Sequence, residues 1–393
     1  VNVASAVQQG KAALRGLILP HPRSSLRPCL QTAPLVVAGM FRTGNGLGRA
    51  ARAYYDALRL SGLDPQAVDV SGLLNQANMP ASVPLTGLAP ARPGTLILFV
   101  NPPEIERVLM GLGLRRWHDW RIIGAWAWEL SVAPAEWRRQ ARFVSEIWGP
   151  SRFAADAFAA AYDRPVHYVP LFVPQAPLAM TEAPAAAVAP ARPLHVLTMA
   201  DARSSLERKN PVAAVKIFKE AFQDSAQARM TLKCRGLDLY PDYAAILHQT
   251  IGGDPRIRLI DETLSDTSQS ALQASADIVL SPHRSEGFGL HLAEAMALGK
   301  CVIATGWSGN LDFMPPGSAA LIPFNLVPVS DTTGVYRPRP GDIWADPDIG
   351  AGAALLRELA SDPARRAAMG AAALQAVANC LPHTTCRQVL EAV

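Results

Sequence analysis

The sequence predicts an α/β protein built as two doubly wound domains, and three observations carry that prediction. Short apolar runs of strand type alternate with stretches of helical spacing, first over 35–170 and again from 195 onward, as in a parallel sheet covered by helices. Between the two series, QAPLAMTEAPAAAVAPARP (175–193) is rich in Pro and Ala and has no periodic apolar pattern, a semi-rigid linker composition. A chain of 393 residues is also long enough for two domains that each bury a core.

In chain order, Leu35–Gly39 reads as a buried strand. A glycine-rich loop, Gly44-Asn-Gly-Leu-Gly48, leads into a helix with apolar residues at Leu47, Ala51, Tyr54, Tyr55 and Leu58. Strand-like runs recur at Gln66–Val70, Thr95–Val100, Arg121–Ala125 and Val166–Pro170. The second series places strands at His195–Met199, Arg229–Cys234, Ile257–Ile260 and Asp277–Leu280, with helices at Pro211–Phe222 and Tyr240–Ile251. The stretch from about 349 to 380 is long and Ala-rich. Residues 1–34 carry several cations around the brief apolar Leu14–Pro20 and lack a convincing signal-peptide core, so they read as an N-terminal arm.

Composition excludes several classes. A formal net charge of +4, without a basic stripe or an aromatic RNA-binding pattern, gives no case for a nucleic-acid partner. Five scattered cysteines with no C-x-x-C pair suggest neither a zinc site nor a disulfide framework, and fit a reducing, cytoplasmic compartment. The apolar stretches fall short of the ~20 residues that cross a bilayer.

The chemistry concentrates in SPHRSEGFGLHLAEAMAL (281–298), where seven residues separate Glu286 from Glu294. A strand ends at Leu280, a glycine-rich turn follows, and Leu290, Ala293, Met296 and Ala297 then carry helical spacing. A helix N-terminus offers unpaired amides and partial positive charge, so phosphate binds there readily. Glu294 lies roughly 7–8 Å along that helix. Two carboxylates flanking an anion site suit a nucleotide sugar, which has hydroxyls at both ends and a diphosphate between. Either glutamate alone also fits a solvated helix face, and neither is expected in the core.

This string resembles the E-x7-E region of retaining GT-B glycosyltransferases, specifically glycosyltransferase family 4, and the likeness extends into CVIATGWSGNLDFM (301–314). The resemblance implies two Rossmann-like domains facing a central cleft: an acceptor domain over 35–174 and a donor domain over 194–375, with 376–393 crossing back to the first. It implies that Glu286 meets the transferred sugar, that the backbone of Gly287, Phe288, Gly289 and Leu290 meets sugar and diphosphate, and that Glu294 meets the ribose. It further implies a basic pair for the diphosphate in the loop before Pro211. Lys209 fits one member; the other is Arg208 or Arg203. Local rules put Asn210 at the N-cap and Pro211 at N1 of the following helix.

Gly46-Leu-Gly48-Arg-Ala-Ala51, with Asp69 about 20 residues on, also fits a dinucleotide fingerprint. Gly46 lies several residues beyond the strand end, however, and a phosphate- or acceptor-facing glycine loop is the preferred reading. WAWEL (126–130) and EIWGPS (146–151) follow strand-like runs. They place Glu129 and Trp128 near the acceptor by resemblance, with His283 and His118 as alternative sugar contacts; Trp128 and Trp148 equally suit core packing. Arg115, Arg116, Trp117, His118, Trp120 and Arg121, with Arg138, Arg139 and Arg142, mix cations with Trp in a patch suited to an anionic membrane surface or simply to solvated helix faces. The resemblance as a whole implies retaining transfer of a hexosyl unit from a UDP- or GDP-sugar to a saccharide, lipid-linked or small-molecule hydroxyl; the expected location is the cytoplasm, with the inner face of the membrane as the place the cation–Trp patch would suit. The phosphate site is read as lined by cations with no acidic metal pair beside it, so no metal or other cofactor is expected. The alternatives are a non-catalytic nucleotide-sugar-binding subunit and an NAD-dependent enzyme.

Overall fold

A computed structural model of the protein describes residues 19, 22, 27–87, 93–113, 117, 119–174, 192–223 and 225–392. Most of the N-terminal arm and of the 175–193 linker lies outside these residues, as do Arg115, Arg116 and His118. The described chain divides into two compact units. The first runs to Trp128 and then takes in Val132–Phe172 and the chain from His383; the second comprises Glu129–Ser131 and Val173–Pro382.

The first unit holds a six-stranded sheet in the order β2-β1-β3-β4-β5-β6, with β1 Leu35–Gly39, β2 Pro65–Asp69, β3 Thr95–Phe99, β4 Arg121–Ala125, β5 Glu146–Gly149 and β6 Val166–Tyr168. Every pairing in it is parallel. Strands β1, β3, β4 and β5 are buried throughout, as expected of strands covered on both faces. Glu146–Gly149, expected to follow a strand, is itself one. Its buried charge is matched by Arg121 Nη2 at 2.8 Å, each side chain being 1% exposed. Trp148 Nε1 donates to Glu146 at 3.2 Å, and Arg121 Nη1 donates to the Leu390 carbonyl of the C-terminal helix Thr385–Ala392 at 3.0 Å. The ion pair thus ties that helix to the sheet.

Part of the cation–Trp patch read from the sequence lies in the core. Trp117 and Trp120 are each 1% exposed and pack edge to face at 5.1 Å, and Arg121 belongs to the buried pair. Arg139 pairs with Glu106 at 3.2 Å, while Arg138 turns to the Ala161 carbonyl. Hydrophobic burial of the two indoles accounts for their place in the core. Among the described residues no helix is long and apolar enough to cross a membrane.

The second unit holds another parallel six-stranded sheet, in the order β12-β11-β10-β7-β8-β9: β7 Leu194–Asp201, β8 Ala228–Arg235, β9 Ile257–Ile260, β10 Ile278–Ser281, β11 Cys301–Thr305 and β12 Ala320–Ile322. A hairpin absent from the sequence-based expectation follows, β13 Phe324–Pro328 antiparallel to β14 Ile343–Pro347. Helices Ile349–Ser361 and Pro363–Cys380 complete this unit. From β7 the chain winds outward through β8 and β9, then returns to place β10 on the other side of β7. The crevice beyond the strand C-termini at such a reversal is where open α/β sheets bind ligands.

Removing one partner of a buried ion pair leaves an uncompensated charge, so Arg121→Met should destabilise the protein by about 3–5 kcal/mol. Adding Glu146→Leu should recover most of that loss. Denaturant unfolding of the single and double variants checks both outcomes.

Candidate active site

The two loops that leave β7 and β10 meet at the reversal. Below them, Thr198 Oγ1 donates to the Leu280 carbonyl at 2.8 Å, holding the strands together under the site. The β7 loop contains the short helix Leu206–Lys209, capped by Ser205, whose side chain accepts from the Arg208 amide. Asn210 then caps helix Pro211–Phe222, with Pro at its first position, and its Nδ2 donates to the Pro282 carbonyl at 3.1 Å.

Glu286 lies between the two expected cations. Its Oε1 is 2.5 Å from Lys209 Nζ and its Oε2 is 3.2 Å from an Arg208 guanidinium nitrogen. Arg208, 2% exposed, also donates to the Ser285 carbonyl at 2.7 Å and to the Ser204 carbonyl at 3.0 Å. Arg203 is exposed on the preceding turn, so Arg208 is the residue that shares Glu286 with Lys209. The expectation that Glu286 lies outside the core is corrected: the residue is 4% exposed. Burial opposes its charge, but Lys209 and then Arg208 outweigh that and hold the carboxyl far below the usual carboxylate range. Burial lowers the Lys209 pKa from the usual lysine value, with Glu286 offsetting part of the effect.

The backbone of Glu286 is fixed by a second loop. Its amide donates to Ser308 Oγ at 2.7 Å and its carbonyl accepts from the Gly309 amide at 2.9 Å. A Cβ on Gly309 would come within 2.4 Å of the Gly287 carbonyl oxygen, so this approach requires glycine. Phe288 packs on Phe313 with centroids 5.0 Å apart. Gly289, at φ +91°, is the N-cap of helix Leu290–Ala297, and among the described residues no side chain caps that helix. The first amides of the helix therefore point out of an open N-terminus beside the cations. Glu294 is half-buried on this helix, 1.5 turns in, as expected.

Among the described residues, five non-glycine positions have positive φ, and three of them, Ser205, Asn210 and Ser308, bracket this cluster. Such conformations cost of order 1–3 kcal/mol each and gather where a site over-determines the backbone.

His283 does not face an acceptor. It is fully buried, with Nδ1 3.1 Å from the Ser281 carbonyl and Nε2 3.1 Å from Asn310 Oδ1. It braces the 282–289 loop, and burial lowers its pKa. Trp128 packs on Trp137 at 5.0 Å and donates from Nε1 to the Val132 carbonyl, within the first unit. Glu129, in contrast, groups with the second unit. Its carbonyl accepts from Ser285 Oγ, and its carboxylate accepts from the Tyr336 hydroxyl at 2.7 Å.

In the first unit, Gly46 opens helix Gly46–Leu60, and a Cβ there would meet nothing within 4 Å. Gly48 has a packing role, since a Cβ would lie 2.5 Å from the Met40 carbonyl oxygen. Asp69 accepts from the hydroxyl of Ser71 at 2.6 Å and so fixes its own turn. Residues 40–45 separate the end of β1 from the helix, which departs from the dinucleotide fingerprint.

Sequence reasoning missed Ser205, Ser308, Asn310, His291, Asp331 and Tyr336. Ser308 and Asn310 lie in the noted 301–314 segment, but the partners that tie them to the cluster, Glu286 and His283, are more than twenty residues away. Burial first, and then Lys209, push the His291 pKa down to about 3.

Against known proteins, residues 204–335 match the family described as Glycosyl transferases group 1. The matched residues lie within the second unit. Solved structures similar to the whole chain include HepE of Anabaena, in complex with UDP and glucose, at 14% identity and TM-score 0.61 over 92% of this chain and 99% of HepE. TarM of S. aureus, solved with UDP among its ligands, aligns at 11% identity and TM-score 0.53 over 76% of this chain and 54% of TarM. The pneumococcal O-GlcNAc transferase GtfA aligns at 16% identity and TM-score 0.52 over 76% of this chain and 56% of GtfA. The chain thus spans about half the length of TarM and GtfA. No curated protein sequence matches it. These likenesses establish the fold as GT-B, two Rossmann-like domains, and all the loops of the cluster except the Glu129 segment and the tail of the strap that holds Tyr336 fall within the group 1 match.

An unfolded His291 titrates near 6.5, whereas the folded one stays neutral to about 3. The unfolded state therefore binds more protons, and His291 withdraws stability as pH falls below 6.5. Thermal unfolding should show a falling melting temperature between pH 6.5 and 4.5, flattened by His291→Gln. The loss associated with Glu286 belongs to lower pH, below 4.5.

Proposed function

We propose that the protein is a retaining glycosyltransferase that moves a hexosyl unit from a nucleotide-diphosphate sugar, a UDP- or GDP-sugar, to a hydroxyl acceptor. The observation that carries this reading is the buried Arg208–Glu286–Lys209 cluster before the open N-terminus of helix Leu290–Ala297, within the group 1 match. The UDP bound by HepE and TarM supports a uridine donor.

Lys209, Arg208 and the helix amides receive the diphosphate, Glu294 the ribose and Glu286 the sugar. The bond from C1 to the phosphate oxygen breaks as negative charge gathers on the leaving diphosphate. Preorganised cations stabilise that charge without reorganising at the moment of reaction. The acceptor oxygen forms its bond to C1 on the same face, and its proton passes to a phosphate oxygen. The two protein cations supply the charge that a metal supplies elsewhere, so turnover is metal-independent. The acceptor is a saccharide, lipid-linked or small-molecule hydroxyl.

A thermal-shift screen across UDP-, GDP- and ADP-sugars identifies the donor, since a ligand of the folded state raises its stability. Release of nucleoside diphosphate in the presence of EDTA then tests turnover; dependence on added Mn²⁺ or Mg²⁺ would overturn metal independence. Binding without any release would instead identify a non-catalytic sugar-nucleotide subunit.

Two substitutions give opposite signatures. Lys209→Ala should weaken nucleoside diphosphate binding by about ten- to a hundredfold, the value of a charge-assisted contact. Glu286→Gln should tighten the same ligand by roughly tenfold, because the diphosphate no longer competes with a carboxylate for the cations, yet turn over more slowly. Glu294→Gln should raise the dissociation constant more than it lowers turnover, as uniform binding does. Calorimetry beside steady-state kinetics reads all three.

A further inference from the structure

Residues 329–342 form a strap between β13 and β14, and its base is closed by the Val329 amide on the Asp342 carbonyl at 2.9 Å. Asp331 organises it. Its carboxylate accepts from Ser205 Oγ at 3.0 Å, from the Thr333 amide at 3.1 Å and from the Tyr336 amide at 2.7 Å. Thr332 Oγ1 adds a bond to Glu207 at 2.8 Å. Ser205 and Glu207 flank the turn that presents Arg208 and Lys209, so the strap is fastened to the cation loop itself.

These bonds bury Tyr336 to 4% exposure and set its hydroxyl 2.7 Å from Glu129 Oε2. Burial raises the phenol pKa well above its usual value, so the hydroxyl remains a donor. Glu129 is also held through its main chain by Ser285, the residue before Glu286. The Glu129 charge acts on both Arg208 and Lys209. The two cations thus pair with Glu286 and lie within the field of Glu129. An arriving diphosphate is drawn to the cations and repelled by the carboxylates, whereas neutral sugar hydroxyls are good donors to a carboxylate.

We propose that Tyr336 is a positioning residue that fixes Glu129 as a second sugar-facing carboxylate beside Glu286, so that Glu129 binds hydroxyls of the transferred hexosyl unit. With Oε2 engaged by Tyr336, Oε1 is the oxygen presented to the sugar. The proposal rests on the nucleotide-sugar reading above and adds to it the residues that distinguish a sugar-bearing nucleotide from the bare diphosphate.

The test is calorimetric titration of the full chain with UDP-glucose, GDP-glucose and ADP-glucose, and with UDP, GDP and ADP, for the wild type, Tyr336→Phe and Glu129→Gln. Tyr336→Phe keeps the ring that packs under the strap and removes only the donor. Each variant should bind the preferred nucleotide sugar about tenfold more weakly while its affinity for the matching nucleoside diphosphate stays within about twofold. Equal weakening of both ligands would mean that Tyr336 merely holds the strap together, and would overturn the proposal. So would unchanged binding of both. A wild type that binds the sugar nucleotide but never releases the diphosphate sinks the transferase reading alone, since the affinity difference still decides the role of Tyr336. A wild type that binds none of the six ligands sinks both.

Discussion

A buried carboxylate cannot stay ionised without close compensation, and at Glu286 that requirement organises the second unit. Two cations must reach one residue from a loop about eighty positions earlier in the chain. The sheet order makes this possible, because the reversal puts β7 and β10 side by side and lets their C-terminal loops emerge together. Strained backbone at Ser205, Asn210 and Ser308 is then tolerated because each contributes to the convergence. Ser205 caps the cation turn, Asn210 ends it and bonds to the Pro282 carbonyl, and Ser308 holds the Glu286 amide.

The connection between the loops is more than the ion triad. Arg284 donates its amide to the Arg208 carbonyl at 2.7 Å and a guanidinium nitrogen to the Glu207 carbonyl at 2.8 Å, while its own carbonyl accepts from Ala345 on β14 at 2.9 Å. Asn310 links the third loop, touching His283 at 3.1 Å and the Thr305 carbonyl at 3.1 Å. Side-chain to main-chain bonds dominate this network. They fix the loop positions through main-chain groups.

What the sequence disclosed follows the range of the interactions involved. Asn210 at a cap, Pro211 at the first helical turn and a helix opening at Leu290 depend on neighbours a few residues away, and all three are found. Glu286, Lys209 and Arg208 were legible only because a compact motif resembles a family; no periodicity indicates that Glu286 is buried. The strap was not legible. Asp331, Thr332 and Tyr336 sit in a turn-rich stretch with no pattern, and their partners Ser205, Glu207 and Glu129 lie more than 120 positions away. Local reading also erred where burial overrode composition. Trp117, Trp120 and Arg121 resemble an interfacial patch along the chain, yet form core and a buried ion pair in space. His283 looked available beside a glycine loop, but it is the brace of that loop.

Two buried ion clusters among the described residues obey the same electrostatics and differ in exposure. Arg121 and Glu146 are each 1% exposed, and their other bonds go to Trp148 and to the main chain of the C-terminal helix, all of them parts of the core. Nothing from solvent can take either partner's place. In the Glu286 cluster the arrangement is graded: Arg208 is 2% exposed and bound to two carbonyl groups, whereas Lys209 retains 13% exposure at its side chain. The arginine, rigid and always charged, maintains the field. The lysine has a flexible stem and the more exposed charge, and burial lowers its pKa. Exposure of one member therefore separates a cluster closed inside the core from the one to which the function proposed above assigns the diphosphate.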